Sequence, residues 1–414
     1  MTSRRRQAEL GSIFISSLLD EERLPFQDPT LVFGQQHYSW KLITKLYSEG
    51  FTRAGLITKH IARPEIYQDS IAWSNLGICS NDIHIAVKPV EHLRPFYGLR
   101  NLFVCGWEFP ELFPGNSDLS PFFNQLAILN RADRILCWTD FTRDNLRAAG
   151  IMQAVTLPPP IAPVESGSET AVLNMPSVFL NSFDVSSKCD VVTFGEVVNS
   201  LPKNMLLAVL NPFDKRKQFD TLLEGACQAH ARGNEFLLVI KLIIDEKQTT
   251  IVNINEILQK HYGYRKKSDS VLFCSGNLDD SSMSALRERS DFHLSAPSAE
   301  GLNLPLVESA LLDIPIITTR NSAMGSYLGP EDAVWIDCRP EEVSQSINAF
   351  AKYKIFTHYP ATPDAIATAI HSALSLSTEE RIALAKRGRN AVEARFGQSR
   401  FENDFHTISR DVLV

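Results

Sequence analysis

The sequence predicts two doubly wound α/β domains facing across a cleft, on three observations. Strand–loop–helix units recur along the chain, and a stiff connector, Pro158-Pro159-Pro160-Ile161, divides them into two sets. The 414 residues are enough for two domains of this class. Strands alternating with helical stretches form mostly parallel sheets with helices on both faces. A proline run keeps the backbone extended and semi-rigid, as an interdomain hinge requires. The boundaries read as 1–175 for an N-terminal domain and 176–376 for a C-terminal one, with 176–203 an insertion or linker. Residues 377–414 read as terminal helices returning toward the first domain.

Composition narrows the function classes. With 44% hydrophobic and 21% charged residues the chain is an ordinary globular protein. A net charge of −7 argues against a nucleic-acid binder that works by neutralising phosphates. No apolar run of about 18 residues is present to span a bilayer. The stretch GSIFISSLL after Arg4-Arg5-Arg6 is short and runs into Asp20-Glu21-Glu22 without a small-residue cleavage site, so it is not read as a signal peptide. Seven scattered cysteines without a C-x-x-C pair read as reduced thiols of a cytoplasmic protein. No metal ligand set is read: zinc is not expected, and there is no convincing Asp-x-Asp site.

In the first half, Leu31–Phe33 reads as a strand, Gly34–Ser39 as a loop, and Trp40–Glu49 as a helix capped by Ser39 and ended by Gly50. Ile83–Val87 and Leu102–Cys105 read as strands, the second an apolar run typical of a buried parallel strand, with Gly106-Trp107-Glu108 at its carboxyl end. Ile135–Trp138 and Phe141–Ala149 read as a strand and a helix capped by Asp140. Residues 162–203 carry strand-like patches at Val178–Leu180 and Val191–Phe194, and their role is open among an insertion, a lid and part of an acceptor site. The second half resumes with strand Leu206–Leu210, a polar loop holding Arg216 and Lys217, and helix Phe219–Ala229. Strands follow in EFLLVIKLII and at Val271–Cys274, the latter ending in the loop Gly276-Asn277-Leu278. Ser377 and Glu380 form a capping-box pattern, and Phe401, Phe405, Ile408 and Val412 a helical stripe.

The chemistry concentrates in DFHLSAPSAEGLNLPLVESALLDIPIITTR, residues 291–320. It reads as a buried strand, a small-residue loop, a helix opened by Pro305 and another strand. Proline suits the first helical position because its missing N–H would have no partner there. Gly301 lets a ligand approach the backbone, and the amides of Leu302, Asn303 and Leu304 with the helix dipole form an anion site that a phosphate would fit. Glu300 and Glu308 flank that site. Two carboxylates around a phosphate cradle suit a polyhydroxylated ligand carrying a diphosphate.

These residues resemble the E-x7-E signature of retaining GT-B glycosyltransferases, glycosyltransferase family 4 in particular. The match is carried by Ser298, Glu300, Gly301, Leu304, Pro305, Glu308 and Pro315-Ile316-Ile317; the chain departs at Leu302-Asn303, where Phe-Gly is common, and at Ser309 for Ala. The resemblance implies a GT-B fold of two Rossmann-like domains. It implies that Glu300 contacts the donor sugar, that the following amides hold the diphosphate, and that Glu308 holds the ribose diol. It gives Arg216 and Lys217 the neutralisation of the leaving diphosphate, although a further Arg common in the family is replaced by Asn211 or Pro212. Gly276, Asn277 and Leu278 would line the base, and NSAMGSYLG after Arg320 would face the donor sugar. On the acceptor side it points to Gly34, His37, Tyr38 and Trp107, with Glu108 as a polar or general-base group.

The function so implied is transfer of a sugar, with retention, from a nucleotide diphosphate sugar to a hydroxyl of a glycan, lipid-linked or other acceptor, as in bacterial-type polysaccharide or glycoconjugate synthesis. The nucleotide sugar is a co-substrate, and no cofactor is required. Arg4–Arg6 and Arg265–Lys267 could touch anionic lipid at the inner membrane face if the acceptor is lipid-linked. The rivals are a nucleotide-sugar epimerase of the same fold and a non-catalytic GT-B protein that binds glycan or a partner. Lys217→Ala or Glu308→Ala is expected to abolish turnover with the thermal midpoint nearly unchanged.

Overall fold

A computed structural model describes residues 11–17, 36–67, 70–112, 124–163, 169–179, 192–198, 204–212, 214–243, 271–274, 278–345 and 354–413. The chain divides into two compact units. One comprises Met1–Ile161, Glu342–Thr357 and Arg395–Val414; the other comprises Ala162–Glu341 and His358–Ala394.

Among the described residues, the first unit has a parallel sheet of six strands: β1 (Ile13–Ser17), β2 (Thr58–His60), β3 (Ile83–Val87), β4 (Arg100–Cys105), β5 (Arg134–Cys137) and β6 (Ala154–Thr156). Their order is β2-β1-β3-β4-β5-β6. Strands β1, β3 and β4 are buried nearly end to end, mostly in apolar residues, and their buried polar groups Ser16, His84 and Asn101 bond to one another. The apolar stretch weighed above only as a leader is β1, paired on both sides inside this sheet.

Helix α1 (Gln36–Arg53) corrects two expectations: Ser39 lies within it rather than capping it, and Gly50 does not end it. The glycine is there for close approach. A Cβ at Gly50 would lie 2.4 Å from Pro160 Cγ and 3.0 Å from Phe401 Cε1. Phe401 belongs to the C-terminal helix Gln398–Leu413, which buries Phe401, Phe405, Ile408 and Val412. Phe51 of α1 meets Phe401 and Phe405 at ring separations of 5.0 and 4.6 Å. The expected strand Leu31–Phe33 lies outside the described residues. Helix α2 (Asp140–Ala148) is capped by Thr139, whose hydroxyl accepts from the Thr142 amide, not by Asp140. Asp140 is drawn away because its carboxylate pairs with Arg143 at 2.6 Å and with Arg395, and accepts from the Thr156 hydroxyl.

Among the described residues, the second unit has a sheet of eight strands: β7 (Pro176–Phe179), β8 (Val192–Thr193), β9 (Met205–Leu210), β10 (Leu237–Leu242), β11 (Val271–Cys274), β12 (Phe292–Ser295), β13 (Ile316–Thr319) and β14 (Val334–Ile336). The order is β14-β13-β12-β9-β10-β11-β7-β8. From β14 to β11 the strands are parallel; β7 and β8 add on antiparallel. The described strands within 162–203 thus extend this sheet at one edge. Its longer described helices are α3 (Phe219–Ala231), α4 (Asp280–Glu288), α5 (Leu304–Leu311), α6 (Pro363–Leu374) and, up to Ala394, α7 (Thr378–Phe396). The capping box forms as expected, with the Ser377 amide donating to Glu380 and the Glu380 amide to the Ser377 hydroxyl. Because β9, β12 and β13 are parallel neighbours, the loops leaving their carboxyl ends lie side by side, where open α/β sheets bind ligands.

Candidate active site

The loop between β12 and α5 is held by its neighbours. The Gln218 side chain donates to the Ala296 carbonyl at 2.6 Å, and Asn321 and Thr319 both donate to the Pro297 carbonyl at 2.8 Å. The Ser298 amide donates to the Arg216 carbonyl at 2.7 Å, the Glu300 amide to the Ser322 hydroxyl at 2.9 Å, and the Tyr327 hydroxyl to the Leu302 carbonyl at 2.8 Å. The amides of Leu302, Asn303 and Leu304, just ahead of Pro305, have no acceptor among the described residues. Asn303 occupies the N-cap position of α5 at φ 63°, ψ 61° without a side-chain capping bond. Asparagine is among the few side-chain-bearing residues that tolerate this left-handed region, so the Leu-Asn departure from Phe-Gly keeps the backbone turn. Its side-chain amide is anchored to the Ser295 hydroxyl at 3.1 Å.

Charged groups gather around this turn. Lys217, in the 3-10 turn Lys215–Lys217 after β9, pairs with Glu300, whose side chain is only 8% exposed. Arg216 turns instead to Asp214, at 2.8 Å between Nη2 and Oδ2. Burial works against the charged Asp214 carboxylate, but Arg216 and Lys217 outweigh it and hold the group below its ordinary range. Gln218 follows at φ 50°, and its side chain bridges the Ala296 carbonyl and the Ala361 amide, which fixes the residue next to Lys217. Asn211 is half-buried and Pro212 buried at the end of β9.

Glu308, one turn into α5, pairs with Arg287 of α4. Burial pushes its carboxyl above the ordinary range; Arg287 opposes this and Asp280 adds to it. Ser309, standing where the family has Ala, donates to the Pro305 carbonyl and lies 3.0 Å from His293 Nδ1. Gly301 and Leu302 are buried in the turn, and Leu278 packs half-buried against the core.

In the first unit, Trp107 is 8% exposed; its indole donates to the Glu111 carbonyl at 2.7 Å and its ring meets Phe109 and Phe356. Its body is thus packed into the unit. Glu108 is half-buried at the end of β4; burial first, and then the Glu108 charge, push the Cys105 thiol up to about 12. His37 and Tyr38 lie in the first turns of α1 rather than in a loop. Gly34, Gly276, Asn277, Arg4–Arg6 and 265–267 lie outside the described residues.

Lys217, Glu300 and the amides of 302–304 are therefore brought together, with Glu308 on the same helix. Arg287 and Gln218 escaped sequence reasoning, and Ser322 and Tyr327, within NSAMGSYLG, were not foreseen as the groups that hold the loop. Each acts across a strand or loop at long range, and neither composition nor spacing marks such pairings. Among the described residues no group of three or more His, Cys, Asp or Glu could hold a metal ion, and no helix is long and apolar enough to cross a membrane.

No protein-family model matches the chain, and no curated protein matches its sequence. Solved structures do match. Sucrose-phosphate synthase from Thermosynechococcus elongatus aligns over 97% of this chain and 98% of its own at TM-score 0.60 and 14% identity. Anabaena HepE in complex with UDP aligns over 96% and 99% at TM-score 0.55 and 10% identity. The pneumococcal O-GlcNAc transferase GtfA, in complex with UDP and GlcNAc, aligns over 82% of this chain at TM-score 0.51 and 15% identity. The chain spans 58% of the GtfA chain and 55% of the TarM chain. At such identities the likeness is one of fold. The fold is GT-B, with two Rossmann-like units.

Proposed function

We propose that this chain is a glycosyltransferase moving a sugar from a nucleoside diphosphate sugar to a hydroxyl acceptor, with retention, in the manner of glycosyltransferase family 4. The observation that carries this reading is the Lys217–Glu300 pair beside the uncapped amides of Leu302, Asn303 and Leu304. HepE and GtfA, each in complex with UDP, support a uridine nucleotide as the donor's leaving group.

In this reading the amides ahead of Pro305 hold the diphosphate at the helix N-terminus. Lys217 meets the charge that grows on the diphosphate as its bond to the sugar breaks, and Glu300 accepts hydrogen bonds from the sugar hydroxyls. Such preorganised charge stabilisation is commonly the largest part of catalysis of this kind. Arg216, held by Asp214, adds positive potential and braces the loop through its carbonyl, which accepts from Ser298. Gly276, Asn277 and Leu278 line the base. Glu108, with Gly34, His37, Tyr38 and Trp107 on the same unit, serves the acceptor, a glycan or lipid-linked glycan.

The test is incubation of the protein with UDP-, GDP- and ADP-sugars. Slow release of free sugar and nucleoside diphosphate, accelerated by an acceptor, supports a transferase. An altered sugar nucleotide would make it an epimerase, and failure to bind any nucleotide sugar would leave it a non-catalytic partner.

A further inference from the structure

The Arg287–Glu308 pair is asymmetric. Arg287 is covered, with 8% of its side chain exposed, whereas Glu308 keeps 24% of its own open. The two residues sit on the helices that precede and follow β12 in the chain, 21 positions apart. We propose that Arg287 is a positioning residue that fixes Glu308 so its open oxygen receives the vicinal diol of a nucleoside ribose. The proposal rests on the donor-binding reading of α5 given above.

A diol presents two hydroxyl donors, and it is matched by an ionised carboxylate, which only accepts. A protonated carboxyl would spend one oxygen as a donor. Burial drives Glu308 toward protonation, Asp280 on α4 pushes the same way, and Arg287 is the group opposing both. On β12, His293 is held neutral by burial and by Arg287, so it supplies no competing cation. The pair is made through one contact, Arg287 Nη2 to Glu308 Oε2, which leaves the second carboxylate oxygen to a ligand. An ion pair that merely joined two helices would support folding without regard to the ribose hydroxyls. That difference separates the two roles.

The experiment measures dissociation constants of UDP and 2′-deoxy-UDP for wild type, Arg287→Met, Arg287→Lys and Glu308→Gln, from about pH 5 to pH 8, with folding checked by thermal melting. If UDP does not bind while GDP or ADP does, that nucleotide and its 2′-deoxy form are used. Wild type is expected to prefer the ribonucleotide by roughly tenfold, the worth of a hydrogen bond to a charged group. Arg287→Met brings the preference down to that of Glu308→Gln and moves the acid loss of binding to higher pH. Arg287→Lys keeps the charge on a compact ammonium of shorter reach and falls between. A wild-type preference and acid limb in whichever Arg287 variant folds, or equal weakening of both nucleotides, overturns the proposal while leaving the donor site intact. Failure of wild type to bind any nucleoside diphosphate overturns the donor-site reading and this proposal with it.

Discussion

Lys217 and Glu300 form an ion pair between loops that leave two adjacent parallel strands, although 83 positions separate them in sequence. The pair joins the group assigned to the leaving diphosphate with the group assigned to the transferred sugar.

Lys217→Ala is expected to cut turnover roughly a hundredfold or more, the scale of losing one preorganised charge contact. The sequence alone predicts an unchanged thermal midpoint, and the burial of Glu300 revises that. Its carboxylate would be left without its cation, at a cost of about 1–3 kcal/mol. Steady-state rates and thermal melting check both effects. A variant with wild-type turnover contradicts the role, and one with an unchanged midpoint contradicts the structural effect.

Asn303→Gly should be tolerated, since glycine adopts φ 63° freely and only the bond to Ser295 is lost. Asn303→Val should destabilise by about 1–3 kcal/mol, because a β-branched residue is strained there. Urea denaturation of both variants is the check, and equal stabilities would refute the backbone argument.

Gly50→Ala should destabilise the first unit by about 1–3 kcal/mol by overpacking. The new methyl meets Pro160 and Phe401, and a proline ring yields little. A gain in stability, as expected for Gly→Ala in an exposed helix, would show that this contact does not constrain α1.

Two buried histidines make stability fall in acid. Burial first, and Lys88 against a hydrogen bond with Asn101, bring His84 from 6.5 to about 4; burial and Arg287 bring His293 to about 3. Both folded-state values lie below the unfolded one, so the unfolded chain binds the extra protons. Their contribution is intact above 6.5 and is lost as pH falls toward the folded values. Near pH 5 each should add about 1.4 kcal/mol per pH unit to the slope of stability. Urea midpoints for His293→Leu should show a slope shallower by one such contribution; an unaltered slope would contradict the assignment.

The sequence was most legible where burial is complete. Stretches such as Leu102–Cys105 and Val271–Cys274 run unbroken in apolar residues because both faces are covered. The turn ahead of Pro305 was legible through the missing N–H of proline. Gly50 misled, since a glycine needed for close approach reads locally like a helix stop. Asp140 misled because a tertiary pairing with Arg395 competes with capping. The strand β1 was hidden by its resemblance to a leader segment. Arg287 left no local mark at all: its partner is on the next helix, and nothing in the stretch around it specifies that meeting.

The most direct measurement is calorimetric titration of UDP, GDP and ADP into the full chain and into Lys217→Met. One of these nucleotides should bind at a single site per chain, and Lys217→Met should weaken it roughly tenfold or more, the worth of a charge-assisted contact to phosphate. No binding by any of them, or equal affinity in the variant, would contradict a diphosphate site at the turn ahead of Pro305.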